Sequence, residues 1–170
     1  MKFPYWIPLS GVVALSVLLS ACGTPSGKTT TAMAPPHSAH QQHAPNGDLQ
    51  ETTSGITQLP TFLDKQRPEI KQAYQVAALV ADLLQWIPCY CGCGESAGHT
   101  SNKNCFIKEI KQDGSVVWDD HGTRCGVCLE IAVTSARMKQ DGKSAKEIRT
   151  YIDQKYQKGY AKPTDTPMPA

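Results

Sequence analysis

The sequence predicts a small, mainly α domain of about three helices, with a cysteine-rich loop and a short β-hairpin. Three observations predict it. Apolar residues recur at helical spacing from Glu69 to Trp86, and again from Cys125 to Ala136. Ser144 and Glu147 make a capping-box pattern ahead of a third apolar stripe. Six of the seven cysteines fall between Cys89 and Cys128, and a core this small benefits from a covalent or metal staple. The chain has 170 residues and is 40% hydrophobic, below the usual fraction of about 45–50%, so part of it packs no core. Seventeen basic residues against fifteen acidic ones give a net charge of +2, too balanced for a nucleic-acid binder.

The first element is a leader. Met1-Lys2 opens the chain with positive charge, and Gly11 to Leu19 is an apolar run too short to span a bilayer comfortably. Residues 1–21 therefore read as a signal peptide. The run ends in Leu19-Ser20-Ala21-Cys22, which resembles the lipobox of bacterial lipoproteins. That resemblance implies a diacylated (palmitate-bearing) Cys22 at the mature N-terminus, and two acyl chains suffice for stable anchoring. An ordinary secretory signal with a chance cysteine is the competing reading. The expected location is the extracytoplasmic face of the cell membrane, in a Gram-positive envelope. Residues 22–59 read as a disordered tether. Thr24 to Ala34 is rich in threonine, serine and glycine, prolines follow at Pro35, Pro36 and Pro45, and little there can offset the entropy of ordering. His37, His40 and His43 lie three apart in it. With Met33 they suit a weak copper, zinc or nickel site, but a polar linker that happens to use histidine is the better reading.

The folded unit is expected over residues 60–160. Pro68 suits a helix start, and Ile70, Tyr74, Ala77, Ala81 and Leu84 make one face up to Trp86. Pro88 disfavours helical backbone at Ile87 and ends it. After the cysteine loop, Cys105 to Ile110 and Val116 to Trp118 flank Asp113-Gly114, a tight-turn pair, and read as a hairpin. The second helix starts at Arg124 or Cys125 and runs to Met138 or Lys139, with Cys125, Cys128, Leu129, Ala132 and Ala136 on one face. Asp141-Gly142 ends it. The third, capped by Ser144, turns Ile148, Tyr151 and Ile152 to the core. Residues 161–170 are polar and proline-rich and read as a disordered tail.

The chemistry lies in the cysteines. Cys89, Cys91 and Cys93 alternate, so an extended stretch would turn their sulfurs to one side. Gly92 and Gly94 let the backbone curl until they converge. Cys105 follows a polar loop holding His99, which reads as solvated. Cys125 and Cys128 fall at a helix start, where the macrodipole favours thiolate. Soft sulfur ligands select Cu(I), zinc or iron–sulfur clusters. Only one Cys-x-x-Cys is present, against the paired motifs of structural zinc sites, and iron–sulfur spacings do not match. Cu(I) accepts two or three thiolates without strict geometry and is the first choice, with zinc and mercury behind. The expected ligands are Cys89, Cys91, Cys93, Cys105, Cys125 and Cys128, with His121 as an addition. In Asp119-Asp120-His121, a turn or capping role competes with ligation. Trp86, Tyr90 and Trp118 flank the cysteines as shields or as ordinary core. Two other readings stay open. Six extracytoplasmic cysteines make three disulfides through any of fifteen connectivities, and Cys125 with Cys128 has the spacing of a thiol–disulfide oxidoreductase without its βαβ unit. No Ser/His/Asp set, phosphate loop or paired-carboxylate motif is evident, so no enzyme is expected.

Pro88 to Cys93 reads PCYCGC, and from Trp86 to about Tyr156 the chain resembles the PCYCGC-motif lipoprotein family. The resemblance takes in Cys105-Phe106, His121, the Cys-Gly-Val-Cys of Cys125 to Cys128, and the stretch from Gly142 to Arg149. It implies an envelope location and six cysteines acting as a unit, with no assigned reaction. The expected partners are the membrane, a soft metal ion and a metal-accepting or other envelope protein.

Overall fold

The computed structural model describes residues 40–170. The signal peptide, Cys22, Met33 and His37 lie outside the described residues. Four strands form one antiparallel sheet: β1 (Gln41–His43), β2 (Leu49–Thr53), β3 (Ile107–Ile110) and β4 (Val116–Asp119), in the order β1-β2-β4-β3. Five α-helices accompany it: α1 (Pro68–Leu79), α2 (Ala81–Leu84), α3 (Cys93–Ser96), α4 (Gly126–Gln140) and α5 (Ala145–Tyr156). Among the described residues the fold is thus mixed α/β, 45% helical with its 3-10 turns included and 12% strand, and not mainly α with a hairpin.

Two corrections account for the difference. The expected tether supplies half the strands, because β1 and β2 lie within it. Their residues are nearly all polar, so no apolar alternation marks them. What holds them is pairing and buried polar contact. Glu51 stands opposite Trp118 on β4. Its carboxylate accepts from the Thr61 and Phe62 amides at 2.8 and 3.3 Å and from Gln41 Nε2 at 2.7 Å. Thr53 Oγ1 accepts the Trp118 indole N–H at 2.8 Å. The second correction concerns the tail. Thr164 and Thr166 are buried, and the Thr164 and Ala161 amides donate to the carbonyls of Cys89 (2.9 Å) and Tyr90 (3.1 Å). Composition forecasts the absence of a core, but it says nothing of backbone pairing with a loop.

The helices follow the expected pattern with local changes. Pro68 opens α1 after Arg67. The predicted single helix to Trp86 is interrupted at Val80, whose φ of −120° leaves the helical region, and α2 restarts on the Val80 carbonyl. The chain leaves helix before Pro88, as the proline demands. The β3–β4 hairpin forms, with Gly114 at φ 85° in its turn and a register shift between Ile107 and Glu109. Ser144 and Glu147 close the capping box of α5 at 2.9 and 3.2 Å. On α4 the buried face is Cys128, Ile131, Ala132 and Ser135, turned from the expected one. On α5, Ile148 and Ile152 are buried with Tyr156, while Tyr151 is exposed.

One apolar core joins sheet and helices. Tyr74 of α1 meets Phe106 edge-on at 5.0 Å, and its hydroxyl donates to the Asp119 carbonyl at 2.7 Å. That bond fastens α1 to the end of β4, where the chain turns toward the cysteines.

Candidate metal centre

The PCYCGC stretch is placed by backbone hydrogen bonds on both sides. Asn102 donates its amide to the Ile87 carbonyl at 2.8 Å, and Thr164 Oγ1 accepts the Cys89 amide at 2.9 Å. The loop is not extended throughout. Gly92 takes a φ of +89°, a left-handed conformation that glycine adopts at no steric cost, and Cys93 then opens α3. The sulfurs converge through this curl. Cys89 Sγ lies 3.3 Å from Cys91 Sγ, whereas Cys93 swings to within 3.7 Å of Cys105 Sγ. Cys105 ends a 3-10 turn (Asn102–Cys105) opened by a Ser101–Asn104 capping box.

The Cys125–Cys128 pair enters from the other side. Cys125 caps α4, its sulfur accepting the Cys128 amide at 3.4 Å. Cys128 Sγ lies 3.3 Å from Cys89 Sγ and 3.5 Å from Cys91 Sγ. All six are free thiols. Their separations exceed the roughly 2.05 Å of a disulfide. They approach the sulfur–sulfur edge of about 3.8 Å that four ligands at about 2.3 Å impose around one tetrahedral ion. Cys89, Cys93, Cys105 and Cys128 are buried, while Cys91 and Cys125 are half-buried and form the accessible edge.

Two imidazoles border the sulfurs. His121 Nε2 lies 3.9 Å from Cys91 Sγ, and its Nδ1 lies 3.2 Å from Asp48 Oδ2. His99, expected in solvent, is buried with Nδ1 3.6 Å from Cys105 Sγ and Nε2 3.7 Å from Asp48. The two rings meet edge-on at 4.8 Å. Asp48 is itself buried and pairs with Arg124. Four donors, Cys93, His99, Cys105 and His121, fall within 4.8 Å of one another, as do Cys91, Cys125 and Cys128, and also Cys89, Cys105 and Cys128. Such groups can hold a metal ion.

The electrostatics favours partial ionisation. Hydrogen bonds from Cys105 and Cys128 lower the Cys89 thiol to about 4. Cys105, Cys125, Cys128 and Cys89 together hold Cys91 far below the usual thiol range. Burial pushes Cys105 well up. The cluster thus favours thiolate at Cys89 and Cys91 and thiol at Cys93, Cys105, Cys125 and Cys128. Burial, with His121 beside it, lowers His99 to about 4 against the pull of Asp48. The hydrogen bond with Cys91, outweighing burial and aided by Asp48, raises His121.

Other predicted residues have other duties. Asp120 accepts the Leu49 amide at 2.8 Å and pairs with Arg124, so it ties β2 to the turn before α4. Tyr90 donates to Asp153 at 2.7 Å and stacks on Tyr156, and Trp118 packs near Tyr74 in the sheet core. His43 Nδ1 lies 3.2 Å from the Gly47 carbonyl in the β1–β2 turn. Sequence reasoning missed Asp48 and undervalued His99. The equal spacing of Cys93, His99 and Cys105, five residues in each gap, is the signal that points to His99. Nothing local marks Asp48.

A protein-family model described as a protein of unknown function with PCYCGC motif matches residues 12–169. No curated protein and no solved structure matches the chain.

Proposed function

The chain belongs to the PCYCGC-motif family of proteins of unknown function, and from that premise we propose that it is a membrane-anchored metal-binding lipoprotein of the cell envelope. Its cargo is a soft ion, Cu(I) first, bound for sequestration or for hand-over to a metal-accepting protein. One observation carries this reading: six free thiols, contributed by three separate segments, converge on one place, five with a neighbouring sulfur 3.3–3.7 Å away and Cys125 within 4.8 Å of Cys91 and Cys128. Soft thiolates suit Cu(I), zinc and iron–sulfur clusters, and Cu(I), which accepts two or three thiolates without strict geometry, comes first. The half-buried Cys91 and Cys125 supply the edge at which an incoming ion or an acceptor's thiol exchanges ligands. The anchor rests on the Leu19-Ser20-Ala21-Cys22 sequence. A carrier of this kind performs no bond-making reaction on a substrate.

The full-length chain, isolated without reductant and then offered Cu(I) anaerobically, tests the reading. Native mass spectrometry should find copper in stoichiometric amount, and denaturation should release six alkylatable thiols from Cys89 to Cys128, Cys22 being counted apart. Three disulfides with no bound copper would overturn it in favour of a stapled structural protein. A mixed disulfide trapped through Cys125 in Cys128→Ser would overturn it in favour of an oxidoreductase.

A further inference from the structure

We propose that the cluster divides into two subsites, and that Cys93, His99, Cys105 and His121 hold a tetrahedral Zn²⁺ ion beside an all-sulfur subsite of Cys89, Cys91, Cys125 and Cys128. This rests on the cluster being a metal centre and goes beyond it in naming a second ion and its ligands. The first support is geometric. Tetrahedral zinc with sulfurs at about 2.3 Å and nitrogens at about 2.0–2.1 Å requires edges of about 3.8 Å between sulfurs and about 3.6 Å between sulfur and nitrogen. Cys93 to Cys105 is 3.7 Å and Cys105 to His99 Nδ1 is 3.6 Å, and all four donors lie within 4.8 Å of one another.

The second support is the carboxylate behind the histidines. His99 turns Nε2 to Asp48 and Nδ1 to Cys105, and His121 turns Nδ1 to Asp48 and Nε2 to Cys91, at the border of the two subsites. A carboxylate on the far nitrogen fixes the tautomer and orientation of a metal-binding histidine. Here one buried carboxylate serves two, and Arg124 and Asn46 hold it in turn. Asp48 is a positioning residue, delivered from the β1–β2 turn.

Charge is the third support. Two thiolates and two neutral imidazoles around Zn²⁺ sum to zero, which suits a site where Cys93 and Cys105 are buried. Binding releases the two thiol protons to solvent. The all-sulfur group, with its half-buried edge, is left to the softer, exchanging ion. Zinc would then lock α3, the 3-10 turn at Cys105 and the turn before α4 together, while copper passes through Cys91 and Cys125.

The test uses the full-length chain with Zn²⁺ and Cu(I) added separately and together, read by bound metal and by X-ray absorption at the zinc edge. One zinc per chain with two nitrogen and two sulfur neighbours, retained when Cu(I) is present, is the expected result. His99→Ala should abolish it and Asp48→Asn should weaken Zn²⁺ binding by about 10–100-fold, with Cu(I) uptake unchanged in both. Cys125→Ser should leave zinc in place. Copper binding with no zinc would overturn the inference and leave the proposed function standing. Zinc in an all-sulfur shell, lost in Cys125→Ser and kept in His99→Ala, would overturn the division. Neither metal binding would overturn both. Tyrosine and tryptophan fluorescence, with circular dichroism, identifies any variant that fails to fold. The Asp48→Asn zinc-edge spectrum then decides alone, since a purely structural role would not alter the zinc's neighbours.

Discussion

At the scale of single residues, two histidines share one carboxylate and still shift in opposite directions. His99 and His121 are neighbours with opposed shifts: burial and the adjacent ring lower the first, and contact with Cys91 raises the second. In metal-free protein, NMR titration should find His99 neutral down to about pH 4 while His121 takes its proton above the usual histidine value. The signs for stability follow. His99 binds fewer protons folded than unfolded between about pH 6.5 and 4, so its share of stability falls as pH falls through that window. His121 acts the other way, its contribution being full below about pH 6.5 and lost as pH rises through its folded value. Two glycines carry a steric duty. Gly92 needs its φ of +89°, so Gly92→Ala should cost about 1–2 kcal/mol and misdirect Cys93, measurable by denaturant unfolding and by metal affinity. A Cβ on Gly122 would come within 2.9 Å of the Cys105 carbonyl and 2.8 Å of the Phe106 ring, so Gly122→Ala should displace Cys105. Gly92 was legible in the sequence as a hinge between cysteines. Gly122 was not, because its constraint comes from residues sixteen and seventeen positions away.

Among elements, the C-terminal strap is the least expected and the most open to test. Arg149 of α5 donates through Nη1 to the carbonyls of Trp86, Thr166 and Pro167 at 3.0–3.1 Å, and its Nε pairs with Asp153 at 2.9 Å. It clamps the strap over the loop that begins at Pro88. Arg149→Met should loosen residues 161–167 and cost on the order of 2 kcal/mol, since hydrogen bonds from a charged donor go with it. Hydrogen exchange should show the Thr164 amide losing protection while α4 keeps its own. The helices themselves were readable because each buries a stripe at its own period, and α5 carries its start signal in Ser144 and Glu147. The break at Val80 had no such signal. Strands β1 and β2 were unreadable for the opposite reason: β1 buries nothing, and the buried residues of β2 are the polar Gln50, Glu51 and Thr53, satisfied by partners outside the strand.

Across the whole molecule, the candidate metal centre joins separate parts of the fold. The sulfurs and imidazoles come from the PCYCGC loop, the turn ending at Cys105, the turn holding His121 and the start of α4, so an ion bound there ties these segments together. Loaded protein should therefore unfold at higher temperature than chelator-treated protein. Free metal at a hundred times Kd adds about 2.7 kcal/mol, and calorimetry over a metal series should show the midpoint climbing with concentration. Acid should erase the gain, because thiols must lose their protons to bind. The sequence by itself determined the helices that begin near Pro68, Gly126 and Ala145, the hairpin at Asp113-Gly114 and the alternation of Cys89, Cys91 and Cys93. Each is written in local spacing or in residue chemistry, which survive in the unfolded chain. Only the tertiary structure decided that residues 41–53 join the sheet, that the tail packs on the cysteine loop, and that His99 and Asp48 stand beside the sulfurs. Those placements depend on polar pairs between residues far apart in the chain, such as Asp48 with His121 and Gln50 with Asp119. A polar side chain looks the same in sequence whether water or a distant partner will satisfy it.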